Sequence, residues 1–228
     1  MTEPALARVS HAGDGLAMVI RKQGALGIGS VPARVQWSTT LATSSGNIYQ
    51  LKIVLQDSKP PIWRRLLVDS AITLQTLHQI LQIAMGWQDV HLHQFAAGHA
   101  YYGQPDPEWD VEELVDEARV RLDEVLTQQQ STMRYEYDFG DGWRHKITLE
   151  HIVPHDPQRL LPICLKGKGA CPPEDVGGVW GYERFLEALK DPEHEEHEEF
   201  MDWIDGDFDP DVFELEAVNA ELRAAFGG

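Results

Sequence analysis

Cysteine is scarce in this chain. Cys164 and Cys171 are its two thiols in 228 residues, too few for a disulfide framework, so a reduced, cytoplasmic interior is the expected setting. Long apolar runs are missing as well: no stretch of about 18 or more apolar residues offers a bilayer-crossing helix. The first residues lack the basic-then-apolar build of a secretory signal. Basic residues are few, 19 Lys and Arg against 37 Asp and Glu, for a formal net charge of -18. Polyphosphate and anionic-membrane binding rest on clustered Lys and Arg, so the balance argues against nucleic acid and membrane partners. Also missing are a dinucleotide fingerprint, a P-loop with its Gly-Lys-Ser/Thr ending, a nucleophile elbow and a zinc-protease helix. Asp138-Phe139-Gly140 spells a kinase triplet, but neither a Gly-rich phosphate loop nor a His-Arg-Asp catalytic loop accompanies it.

What is present builds a core. An apolar content of 43%, with 9% aromatics, separates the chain from disordered polymers. The charge is uneven. Arg8, Arg21, Lys22 and Arg34 against Glu3 and Asp14 make residues 1–50 net +2, which leaves -20 for the remainder. Residues 1–47 have no sustained apolar period and are expected to form a flexible leader to a domain over 48–228. From Phe185 to Glu216 fourteen acids meet one base, Lys190. Such a run is a solvated helical face or an acidic docking surface for a protein partner.

Periodicity supplies the elements. Tyr49–Leu55 and Ile62–Val68 alternate as strands around the extended Pro60-Pro61 turn. Thr73 is the expected N-cap of a helix carrying Leu74, Leu77, Ile80, Leu81 and Ala84, ended by Gly86. His91–Ala97 and Ala100–Tyr102 read as short strands, and 103–118 as a polar excursion. Met133–Phe139 and Trp143–Ile152 form the clearest hairpin, turned by Gly140-Asp141-Gly142. After a Pro- and Gly-rich loop over 162–181, three helices follow, the last two expected to start at Asp191-Pro192 and Asp209-Pro210. The expected class is α+β: an antiparallel or mixed sheet, one early helix and a cluster of C-terminal helices.

Chemistry concentrates in three places. His91 and His93 are two residues apart, and on a strand they would share a face and approach one metal. Asp138, Asp141, Trp143 and His145 crowd the hairpin turn, where His145 serves as a ligand or as a core histidine. Glu174 and Asp175 precede Gly177-Gly178 and place carboxylates in a cleft. The expected metal set is His91, His93 and His145, a divalent cation being the cofactor the pattern allows. The expected binding set is Trp63, Arg64, Asp138, Asp141, Trp143, Glu174 and Asp175.

Taken together, several segments carry a resemblance. They are Pro60-Pro61-Ile62-Trp63-Arg64-Arg65, Ala84-Met85-Gly86-Trp87, His91-Leu92-His93-Gln94-Phe95, Tyr137-Asp138-Phe139-Gly140-Asp141, Cys171-Pro172-Pro173-Glu174-Asp175 and Phe208-Asp209-Pro210. The chain resembles the plasmid pRiA4b Orf-3-like family over residues 48–222. The resemblance implies an α+β domain associated with mobile elements, some members of which carry a transposon-resolvase label. Val176 stands where relatives often have a further Cys, so any cysteine-based metal site they share lacks a ligand here. A resolvase needs an activated Ser, several Arg around a phosphate and a DNA-binding tail, and this acidic chain supplies none of these as a set. The first expectation is a non-enzymatic interaction or regulatory module. The alternatives are a metal-assisted hydrolase or nuclease-like enzyme and a resolvase-like DNA-binding protein.

Overall fold

The computed structural model describes residues 46–105, 114–204 and 208–227. All but the last two residues of the expected leader lie outside that range, as does the middle of the 103–118 excursion. Eight strands occur among the described residues: β1 Ile48–Leu55, β2 Trp63–Asp69, β3 His93–Ala97, β4 Ala100–Gly103, β5 Leu114–Asp116, β6 Thr132–Tyr137, β7 Trp143–Val153 and β8 Ile163–Lys168. They make one sheet in the order β5-β4-β3-β6-β7-β1-β2-β8. Every pairing is antiparallel except β4 with β5, which is parallel. Helices α1 Leu74–Met85, α2 Leu122–Val125, α3 Gly178–Lys190, α4 His197–Ile204 and α5 Leu215–Phe226 complete it, with a 3-10 turn at Glu117–Arg119. The class is α+β with a mixed sheet.

Alternation sets the buried face. Trp143, His145, Ile147 and Leu149 of β7 point inward while Arg144 and Lys146 face solvent, and Met133, Tyr135 and Tyr137 of β6 lie on the same inner side. Onto that face packs α1. Thr73 accepts a hydrogen bond from the Thr76 amide, and Gly86 closes the helix in the left-handed region at φ 111°. Ten of its twelve residues are buried, including the polar His78 and Gln82, so α1 is covered on more than its sheet side. α5 packs against both α1 and β8.

Two departures from the sequence pattern have clear causes. β8 runs through Ile163-Cys164-Leu165-Lys166-Gly167-Lys168, inside the segment expected to be a loop. It is an outer strand, where Gly and Lys are tolerated and an alternating apolar signal is weak. The Asn219 amide of α5 engages the β8 backbone, accepting from the Cys164 amide at 2.8 Å and donating to the Cys164 carbonyl at 2.9 Å. Neither Asp-Pro pair starts a helix: α4 begins at His197 and α5 at Leu215. Asp191 and Asp209 instead accept hydrogen bonds from the amides two residues on, Glu193 and Asp211, in side-chain turns that satisfy those donors locally.

Candidate functional site

At the turn end of the β6–β7 hairpin, three stretches of chain are sewn together. The Trp87 indole donates to the Pro172 carbonyl at 3.2 Å, and the Gln88 amide to Glu174 Oε1 at 2.9 Å. The Val90 amide donates to the Tyr137 hydroxyl at 3.1 Å, and the Asp138 amide to the Leu92 carbonyl at 2.9 Å. Asp141 Oδ2 accepts from the Gly177 amide at 3.0 Å. Gly178, at φ 70°, lies so close to Asp141 that an added Cβ would meet its carbonyl oxygen. Only glycine allows that approach. Asp138 and Asp175 also hold left-handed backbone, at φ 53° and 59°. Asp tolerates that region better than most side chains, and both bends turn a carboxylate toward the same point.

That point is faced by His91. Its Nε2 lies 3.3 Å from Asp175 Oδ1, 3.7 Å from Asp138 Oδ2 and 3.8 Å from Glu174 Oε2. One ligand atom each from His91, Asp138 and Asp175 fall within 4.8 Å of one another. Like charges this close repel by a few kcal/mol at an effective dielectric near 20, so a cation or a proton among these carboxylates is favoured. His91 Nε2 and Glu174 Oε2 are buried and take no hydrogen bond. The other carboxylate oxygens are pinned from behind: Asp138 Oδ1 by the Gly140 amide, and Glu174 Oε1 by the Gln88 amide and the Tyr137 hydroxyl. Burial pushes the Glu174 carboxyl above its ordinary range, and burial with the neighbouring Glu174 holds the Tyr137 hydroxyl far above its own.

The three expected histidine ligands do not converge. His91 precedes β3 in a bend rather than lying on the strand, so it does not share a face with His93. His93 joins a second cluster, where its ring stacks on that of His78 with centroids 3.4 Å apart and planes 3° from parallel. His93 Nε2 meets both oxygens of Glu117, at 2.9 and 3.1 Å. His78 bonds Asp89 and the Tyr135 hydroxyl, each at 2.8 Å. Gln82 ties the same network, donating to Tyr135 and accepting from the Asp89 amide. His145 stands apart from both clusters, wholly buried between Trp87 and Tyr135. Neither of its nitrogens makes a well-formed hydrogen bond, although the Tyr135 and Trp143 backbones lie close enough to offset part of the burial. Burial lowers its pKa to about 3, so it is a neutral core side chain.

Of the expected binding residues, Asp138, Glu174 and Asp175 gather at His91, and Asp141 braces the start of α3. Trp143 has no exposed surface and belongs to the core. Arg64 is 1% exposed; it donates to the carbonyls of Ala84, Trp63 and Lys168, and its guanidinium lies 4.0 Å from the Phe213 ring centroid. Phe213 covers Gly167 so closely that any side chain there would collide with it. Arg64 thus ties α1, β2 and β8 together and presents no charge to a ligand. The Trp63 ring has the cations of Lys52 and Arg65 nearby, at 5.8 and 5.5 Å from its centroid. Pattern reading missed His78, Asp89 and Glu117. The available signal was His78 itself, a polar residue on the buried stripe beside Leu74, Leu77 and Leu81.

The sheet order, the helix placement and the converging segments together describe one α+β family architecture. The chain matches the plasmid pRiA4b ORF-3-like proteins over residues 47–217, and it belongs to that family. It is 40% identical over 175 residues to the uncharacterized protein y4hQ of Sinorhizobium fredii, spanning 76% of this chain and 89% of that one. It is also similar to the crystal structure of a protein of unknown function, MM3350 from Methanosarcina mazei Go1. That match has a TM-score of 0.69 and 39% identity, and covers 76% of this chain and 98% of the other. No helix among the described residues is long and apolar enough to cross a membrane.

Proposed function

We propose that the chain is an interaction module that docks a basic protein segment with apolar side chains at the hairpin-turn end and along the acidic surface that follows. The observation carrying this reading is Trp180, 83% exposed in the first turn of α3, while Tyr182, Phe185 and Leu186 of the same helix are buried. A Trp this exposed on a helix that buries its other aromatics is a common mark of an interaction surface. Val90 and Leu92, also exposed, flank His91 in the chain, and Trp180 follows the Gly177-Gly178 pair that packs on Asp141. Further on, α4 exposes Glu198, Glu199 and Asp202 around a half-exposed Trp203. A surface of acids and aromatics complements Lys and Arg flanked by apolar residues. The test is a fluorescence titration with a Lys- and Leu-rich peptide at low salt. Binding that weakens as salt rises and drops in Trp180→Ala supports the reading; no binding at low salt overturns it.

A metal-assisted hydrolase is the second reading, favoured by the gathering of His91 with three carboxylates. A metal there would activate water, and turnover of a phosphodiester or peptide bond that needs a divalent cation and disappears in Asp138→Asn is its test.

A further inference from the structure

We infer that His91, Asp138, Glu174 and Asp175 form a binding site for one divalent transition-metal cation. Metal–ligand bonds of the length zinc uses with nitrogen and oxygen place neighbouring ligands about 3.3–3.6 Å apart around a tetrahedral centre. The distance from His91 Nε2 to Asp175 Oδ1, 3.3 Å, falls at that spacing, and those to Asp138 Oδ2 and Glu174 Oε2, 3.7 and 3.8 Å, lie just beyond it. Two of the three are too long for hydrogen bonds, and His91 Nε2 makes none with any of the three oxygens. Asp138 is the most buried of the four at 7% exposure. Its Oδ1 is held by the Gly140 amide, while its Oδ2 points at His91. His91 Nε2 and Glu174 Oε2 are buried atoms that take no hydrogen bond, and they face the same point.

Hydrogen-bonding buried polar atoms normally find partners, so two unpartnered ones aimed together call for a common third body. Three carboxylates and one imidazole specify its sign, and a shell with this many acidic ligands favours a divalent over a monovalent ion. The nitrogen ligand favours a transition cation such as Zn²⁺ or Fe²⁺ over Ca²⁺ or Mg²⁺, which prefer all-oxygen shells. The pinned second oxygens of Asp138 and Glu174 act as the outer shell that orients ligands before the cation arrives. Asp175, 71% exposed at its side chain, forms the solvent wall through which the ion enters.

A second group, His78, Asp89 and His93, also brings one ligand atom each within 4.8 Å of one another, but its bonds are already made. The rings of His78 and His93 are parallel, so their in-plane lone pairs cannot converge on one ion, and their outer nitrogens already hold Asp89 and Glu117.

The inference stands apart from partner docking, because its test uses the metal alone. Full-length protein stripped with a chelator is titrated calorimetrically with Zn²⁺, then with Co²⁺ to read the ligand-field absorption. About one equivalent should bind, with a visible Co²⁺ spectrum of low-symmetry mixed nitrogen and oxygen ligation. Asp175→Asn and His91→Gln should each weaken binding at least about 10-fold, while His99→Gln, at an exposed histidine, leaves it unchanged. Circular dichroism checks that the variants keep their fold; Asp175 is exposed enough for its variant to serve even if His91→Gln unfolds. Absence of stoichiometric binding, or affinity equal in the parent and Asp175→Asn proteins, overturns the assignment.

Discussion

Two histidine clusters lie within a few residues of each other in the chain and are built on opposite plans. Around His78 and His93 every outward ring nitrogen with a facing carboxylate is bonded to it, and Tyr135 and Gln82 close the network from behind. Around His91 the atoms face each other at 3.3–3.8 Å and do not bond. The first cluster is closed and buried, with Glu117 2% exposed; the second opens to solvent through Asp175. Residue type does not separate them, since both combine imidazole with Asp and Glu. Satisfaction of hydrogen bonds does: a cluster that completes itself holds the fold, and one that leaves ligands facing a shared point is arranged for something else.

The sharpest test of this contrast removes one partner from the closed cluster. Glu117→Ala strands the His93 imidazole among buried neighbours and opens a gap beside β3. It should cost about 3–5 kcal/mol, read as a lower urea midpoint with little change in slope. A loss below about 1 kcal/mol would mean that the bonds around His93 contribute little and that the closed cluster is not the structural one.

The contrast also explains how much was readable beforehand. The hairpin, the N-cap at Thr73 and the Gly86 stop all follow local rules, and the structure repeats them because nothing tertiary opposes them. The outer strand β8 carries little alternation, and its pairing with β2 and with Asn219 comes from distant sequence. At the site, the separate segments holding His91, Asp138, Glu174 and Asp175 stood out as chemistry-bearing, but their convergence depends on backbone turns at Asp138 and Asp175 that no spacing encodes. The pairing of His91 with His93 failed for a related reason. The chain enters β3 through a bend, so the period-2 rule applies from His93 onward and not before it.

A smaller effect comes from the third imidazole, which belongs to neither plan. His145 is buried and neutral, with its pKa lowered from 6.5 to about 3, so the folded state refuses a proton that the unfolded chain accepts. The contribution is therefore full above pH 6.5 and is lost as pH falls toward 3, at up to about 1.4 kcal/mol per pH unit. His78, whose pKa is also lowered by burial, adds to the same acid limb. Between pH 6.5 and 5 the parent protein should lose about 1.6 kcal/mol more than His145→Leu, measured by urea unfolding at each pH. Equal slopes would show that His145 takes up a proton in place, and that its lack of partners is not the closed, dry setting inferred for it.

The smallest expected change in stability falls on the open cluster, and it carries the most weight for the contrast. Asp175 is 71% exposed at its side chain, and its Oδ1 faces His91 at 3.3 Å without a hydrogen bond. Asn can hold the left-handed backbone at this position about as well as Asp, so Asp175→Asn adds no backbone strain. Removing one negative charge from a crowded acidic cluster also relieves repulsion. In chelator-treated protein the substitution should therefore leave stability within about 0.5 kcal/mol of the parent or raise it slightly. With Zn²⁺ present the order reverses, because a cation held only by the folded state stabilises it in proportion to its affinity, and the parent protein gains more than the variant. The same side chain is then neutral or unfavourable without the ion and favourable with it. Glu117 should show no such reversal, since its partner is already part of the protein. If Asp175→Asn costs as much without metal as Glu117→Ala does, the open cluster is a structural network after all, and the distinction between the two histidine clusters collapses.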